Sequence, residues 1–60
     1  MLPKDPNMLL SYINTGIRDK YSDFYDMADS EGFDGTEVME KLEKAGYSYD
    51  EQANRFINKR

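Results

Sequence analysis

The residues of this chain best equipped for chemistry are carboxylates gathered between Asp26 and Glu37. The run Asp29-Ser30-Glu31-Gly32-Phe33-Asp34-Gly35-Thr36-Glu37 has the acidic, glycine-bearing composition of a calcium loop. Such a loop needs oxygen ligands at its first, third and fifth positions and Gly at its sixth. Counted from Asp29, the fifth residue is Phe33 and the sixth is Asp34, so the register fails. A turn followed by a helix cap accounts for the same residues. Asp26 and Asp29 form a pair suited on paper to acid–base work, but a short helical surface offers no pocket to desolvate them. The chain has no His and no Cys. That removes the usual ligands of zinc, iron and copper, the thiol nucleophile, and the side chain that titrates near neutrality. The expectation is a protein without catalytic activity, resident metal or cofactor, and no small-molecule substrate is evident.

The elements that hold these residues are helices. Asp5-Pro6 is a helix start, because Asp accepts the free amides of the first turn and Pro presets the backbone at the first helical position. Leu9, Ile13 and Ile17, with Leu10 beside them, form an apolar stripe that predicts helix 6–19. Lys20 would enter that stripe next, which places the helix end near Asp19. Gly16 weakens the helix by about 1 kcal/mol relative to Ala. A second helix is expected over 22–31, capped by Ser22, with Phe24, Met27 and Ala28 on one face and Gly32 as its left-handed stop. The third, 35–45, has the most explicit start: Asp34 caps, Glu37 reaches back, and Phe33 packs on Val38 as a staple. Val38, Leu42 and Ala45 should point inward and Gly46 should end it, with Glu37–Lys41 and Glu40–Lys44 as ion pairs on the wet face. Beyond Gly46 the alternation of Tyr47-Ser48-Tyr49, answered by Asn54-Arg55-Phe56-Ile57, favours a hairpin over 47–57. The alternative is a short fourth helix capped by Asp50 with Ala53, Phe56 and Ile57 on one face.

The expected fold is therefore mainly α, a three-helix bundle with a small C-terminal hairpin, in one domain covering 1–60. Ala28, Gly32 and Val38 have the spacing of a helix-turn-helix: a small residue where helices approach, a left-handed turn, and a plug between crossing helices. DNA binding is the alternative function this suggests. Charge opposes it. Glu37, Glu40 and Glu43 stand on the helix that would read the groove, where Arg, Lys, Asn and Gln are expected. From Asp19 to Glu43 there are nine acids and two bases, Lys20 and Lys41, within a chain of net charge −4. Such a field repels nucleic acid and anionic lipid.

Five tyrosines are many for 60 residues. Tyr47 and Tyr49 with Phe56 either close the bottom of the core or form a contact patch for a protein partner. The longest apolar run, Met8-Leu9-Leu10, cannot span a membrane, and Met1 to Pro6 carries no leader-like apolar stretch. With no cysteine, a cytoplasmic location is expected.

The opening Met1-Leu2-Pro3-Lys4-Asp5-Pro6, then Met8-Leu9-Leu10-Ser11, Asn14-Thr15 and Arg18-Asp19, resembles a family of short bacterial proteins catalogued as domain of unknown function 4250. Gly46-Tyr47, Tyr49-Asp50, Asn54 and Phe56 are similar to its tail. Gly16 and Lys20 depart from the pattern, where a longer polar residue and an aromatic are expected. The resemblance implies a stand-alone cytoplasmic bacterial protein and carries over no activity. It draws attention to Asn14 and Arg18, one helical turn apart beside the apolar stripe and not demanded by the core. They bond to each other, bond to the chain end, or dock a partner. Taken together, the sequence points to a protein-interaction or regulatory module that binds another protein or itself, with Asn14, Arg18, Tyr47, Tyr49 and Phe56 as candidate contacts.

Overall fold

The computed structural model describes residues 2–59, so both ends of the expected 1–60 domain lie just outside the described residues. Three helices, α1 (Pro6–Asp19), α2 (Phe24–Glu31) and α3 (Gly35–Lys44), are followed by strands β1 (Tyr47–Asp50) and β2 (Arg55–Asn58). The strands pair antiparallel, with Tyr49 opposite Phe56 and Ser48 opposite Ile57. The fold is mainly α with a C-terminal hairpin, and the short fourth helix is excluded.

Every helix boundary has a local chemical cause. Asp5 accepts the Met8 amide at 3.0 Å, and Pro6 opens α1. At the other end Lys20 is the cap residue and is exposed, which keeps its charge out of the stripe. The expected Ser22 cap is corrected: α2 starts at Phe24, and Asp23 caps it by accepting the Asp26 amide at 2.8 Å. The Ser22 amide instead donates to the Asp26 carboxylate at 3.1 Å, so two side chains satisfy two amides reciprocally. Moving the cap one residue on, from Ser22 to Asp23, starts the helix at Phe24, which is fully buried in the core. Gly32, at φ 79°, stops α2 in the left-handed conformation that costs a residue with a Cβ most.

At α3, Asp34 Oδ1 accepts both the Thr36 amide (3.0 Å) and the Glu37 amide (3.3 Å). The cap rests on Asp34 Oδ1 alone, and the expected return bond, from the Asp34 amide to the Glu37 side chain, does not form among the described residues. Neither do the Glu37–Lys41 and Glu40–Lys44 ion pairs; Arg18–Asp19 is the ion pair found among the described residues. Ordering two long exposed side chains offsets most of what their attraction gains in water. The helix closes at Lys44, Ala45 is an exposed cap residue and not an inward one, and Gly46 turns the chain at φ 100°.

The core is drawn from all three helices and β2: Leu9, Ile13, Ile17, Phe24, Met27, Val38, Leu42 and Phe56. Leu10, Phe33, Met39, Tyr47 and Tyr49 pack partly buried against it. Gly16 belongs to this packing. A Cβ there would meet Met27 Cε at 2.6 Å and Sδ at 2.8 Å, so the missing side chain is the space Met27 occupies. The helix loses about 1 kcal/mol of propensity there and gains a close approach of α2.

Candidate functional site

The side chains singled out in the sequence are drawn together at the seam where the hairpin meets the helices. Asn14 clamps β2: its Nδ2 donates to the Phe56 carbonyl (3.0 Å) and its Oδ1 accepts the Phe56 amide (2.8 Å). A side-chain amide thus acts as a neighbouring strand residue would, pairing the outer edge of β2. Phe56 itself is 1% exposed. Arg18, one turn from Asn14, lines the same depression as Asn14 and Asn54 and pairs with Asp19 at 2.8 Å, with the two side chains 75% and 51% exposed. The Arg18 guanidinium holds the Asp19 carboxyl below its ordinary range.

Tyr47 donates its hydroxyl to Asn7 Oδ1 at 3.0 Å. Tyr49 donates to Asn54 Oδ1 at 2.6 Å and accepts the Phe24 amide, the first of α2, at 3.4 Å. Its ring lies 5.2 Å from Phe56 and 5.7 Å from Phe24, centre to centre. Burial pushes the Tyr49 phenol above its ordinary value. Asn54, at φ 57°, completes the network by donating to the Ser22 carbonyl at 2.7 Å. The turn before it is a single helical turn: Asp50 Oδ1 accepts the Gln52 and Ala53 amides, and the Asn54 amide returns to the Asp50 carbonyl at 2.7 Å. Asp50 therefore does cap, as in the helical alternative, but for one turn before β2 begins.

Two features escaped the sequence reading. Tyr12 and Tyr21 both donate to the Glu31 carboxylate, at 2.8 and 2.9 Å, tying α1 and its following loop to the end of α2. These bonds to Glu31 raise both phenols. Periodicity gives no sign of a contact across nineteen residues of chain.

The second is an open groove of about 700 Å³ between α2 and α3. Its apolar lining includes Phe33, Met39 and Tyr25, the last 54% exposed, and its charged lining is Asp29, Glu40 and Glu43. Among the described residues no Lys or Arg lines it. Gly35 brings the start of α3 against α2, where a Cβ would touch Ala28 and Phe24 at 3.4 Å. The groove is the outer side of the Ala28–Gly32–Val38 corner. Asp26 is taken up in the α2 cap, and among the described residues no three carboxylates converge to hold a metal ion.

Residues 3–56 match the family described as domain of unknown function (DUF4250). The chain belongs to the DUF4250 family. No curated protein and no solved structure matches it. In this DUF4250 chain the matched span runs from Pro3, ahead of the Asp5 cap, to Phe56, the residue Asn14 clamps. Among the described residues no helix is long and apolar enough to cross a membrane.

Proposed function

We propose that this DUF4250 chain is a small protein-interaction module without catalytic activity, acting in the cytoplasm. In this reading its three helices form a bundle with a helix-turn-helix-like corner, and the docking face is the α2–α3 groove. The observation that carries it is the contrast between two surfaces. At the hairpin seam, the polar groups of Asn14, Tyr47, Tyr49 and Asn54 are spent on internal bonds. In the groove, aromatic and methionine surface stays open to water. An apolar cleft flanked by unpaired charge is how interaction sites on small domains are commonly built. The candidate contacts from the sequence divide accordingly: Asn14, Tyr47, Tyr49 and Phe56 serve the fold, and Arg18 is left at the surface.

Site-specific photo-crosslinking in cells tests the reading. A benzophenone side chain at Met39, in the groove, is expected to capture a discrete protein that the same group at Met8 on α1, 64% exposed, does not. An adduct of twice the chain mass would identify the partner as a second copy. Identical adducts at both positions, or none at Met39, would refute the groove as a docking face.

The alternative of DNA binding draws on the corner itself, with Gly32 left-handed and Val38 buried. The acids on α3 oppose it. A gel shift on random duplex at low salt, where phosphate attraction is strongest, decides it.

A further inference from the structure

We infer that the occupant of the α2–α3 groove is a basic amphipathic helix of another protein, seated with an apolar side chain on Phe33 and Met39 and cationic side chains against Asp29, Glu40 and Glu43. This rests on the reading of the groove as a docking face and adds the partner's chemistry.

Charge is the first reason. Asp29, Glu40 and Glu43 line the groove, and among the described residues none of their three side chains has a hydrogen bond or an ion pair. Lys44 and Lys59 share a separate depression with Glu40 and Glu43, outside the groove. Glu37, Glu40 and Glu43 also follow one another at three-residue spacing along α3, where like charges repel across each turn. The fold gains nothing from that repulsion, and cations from outside would relieve it.

Shape is the second. A groove between two helices of 8 and 10 residues offers a track of about 12 to 15 Å, which matches two to three turns of a third helix laid along it. Met39 supplies an adaptable apolar floor, and Phe33 a rigid one. The same carboxylates that favour Lys and Arg repel nucleic acid and anionic membranes.

Selection from a displayed library of random helical peptides, about 16 residues or four turns long, tests this on the full chain. The expected winners carry net positive charge with apolar residues at three- and four-residue spacing. Their affinity should fall about tenfold or more on Glu40→Lys/Glu43→Lys, and by less on Glu40→Gln/Glu43→Gln. Both variants alter exposed positions, and their helicity is checked by circular dichroism. Selection on the Lys variant should instead enrich acidic peptides. Neutral or acidic winners on the parent chain, indifference to both variants, or no enrichment at all would overturn the inference. If that happens while Met39 still crosslinks a partner, the charge argument alone has failed. If Met39 captures nothing, the docking face itself has failed.

Discussion

Replacing Asn14 tests whether the hairpin is held to the helices by a side-chain amide acting as a strand. In Asn14→Ala the Phe56 amide and carbonyl both lose their partners, at 2.8 and 3.0 Å. An orphaned buried donor or acceptor costs about 1–3 kcal/mol. The site is half-buried, so returning water recovers part of this, and a total near 2–3 kcal/mol is expected. A chain of this length has about 3–9 kcal/mol in all, and each kcal/mol moves the melting temperature by about 4–8 °C. The midpoint should fall by about 10–20 °C. Asn14→Asp separates hydrogen bonding from volume. It keeps the acceptor for the Phe56 amide but turns a carboxylate oxygen toward the Phe56 carbonyl. Repulsion raises the folded-state pKa of the new carboxyl above its unfolded value of about 3.9. A raised acid contributes stability that is present below the unfolded pKa and lost as pH rises through the folded one. The variant should therefore be poor at neutral pH and recover toward the parent by about pH 4, where a protonated oxygen can donate. Urea unfolding followed by circular dichroism at both pH values, with amide exchange at Phe56, measures this. An Ala variant within about 0.5 kcal/mol of the parent, or an Asp variant with the same deficit at both pH values, would refute the clamp.

Asp34→Ala should cost about 1 kcal/mol through the lost α3 cap, and Val38→Ala about 1–3 kcal/mol through the cavity; thermal melts that match the parent for both would mean the corner is not anchored there. Gly16→Ala sets a helix gain of about 1 kcal/mol against overpacking of Met27, and a net loss of about 1 kcal/mol is expected. On a Met27→Ala background the same change should stabilise, and a double-mutant cycle that comes out additive would rule out the contact. Because burial raises the Tyr49 phenol, folding favours its neutral form, so stability holds below about pH 10 and falls as pH rises beyond it. Unfolding curves across that range should lose part of this slope in Tyr49→Phe, and an unchanged slope would show that other tyrosines carry it.

The groove lies on a part of the chain whose elements were legible but whose surface was not. Asp29, Glu40 and Glu43 could be counted as acids, and Phe33 and Met39 as apolar residues, yet nothing in their order says that they meet across one cleft. That follows from the approach of α2 and α3 at Gly35 and Ala28. The tyrosine patch shows the reverse: Tyr47, Tyr49 and Phe56 were correctly grouped by strand alternation, but alternation cannot tell an inward face from an outward one.

By itself the sequence determined the helices and where they stop. Asp5-Pro6, Asp34, Gly32 and Gly46 act within one turn of chain, and a cap or a left-handed glycine needs no distant partner. The spacing of Leu9, Ile13 and Ile17 likewise states which face of α1 is buried. Tertiary structure alone decided the tail, because hairpin and helix were nearly balanced locally. The hairpin prevails where Asn14, forty-two residues before Phe56, pairs the open edge of β2, and where Tyr49 and Phe56 close on Phe24. It also decided that Gly16 is a contact and that Asp23, not Ser22, caps α2. For the tail and Gly16 the deciding energy comes from groups far apart in the chain; for the α2 cap, local bonds to Asp23 and Asp26 act together with the burial of Phe24, which local propensity and periodicity do not register.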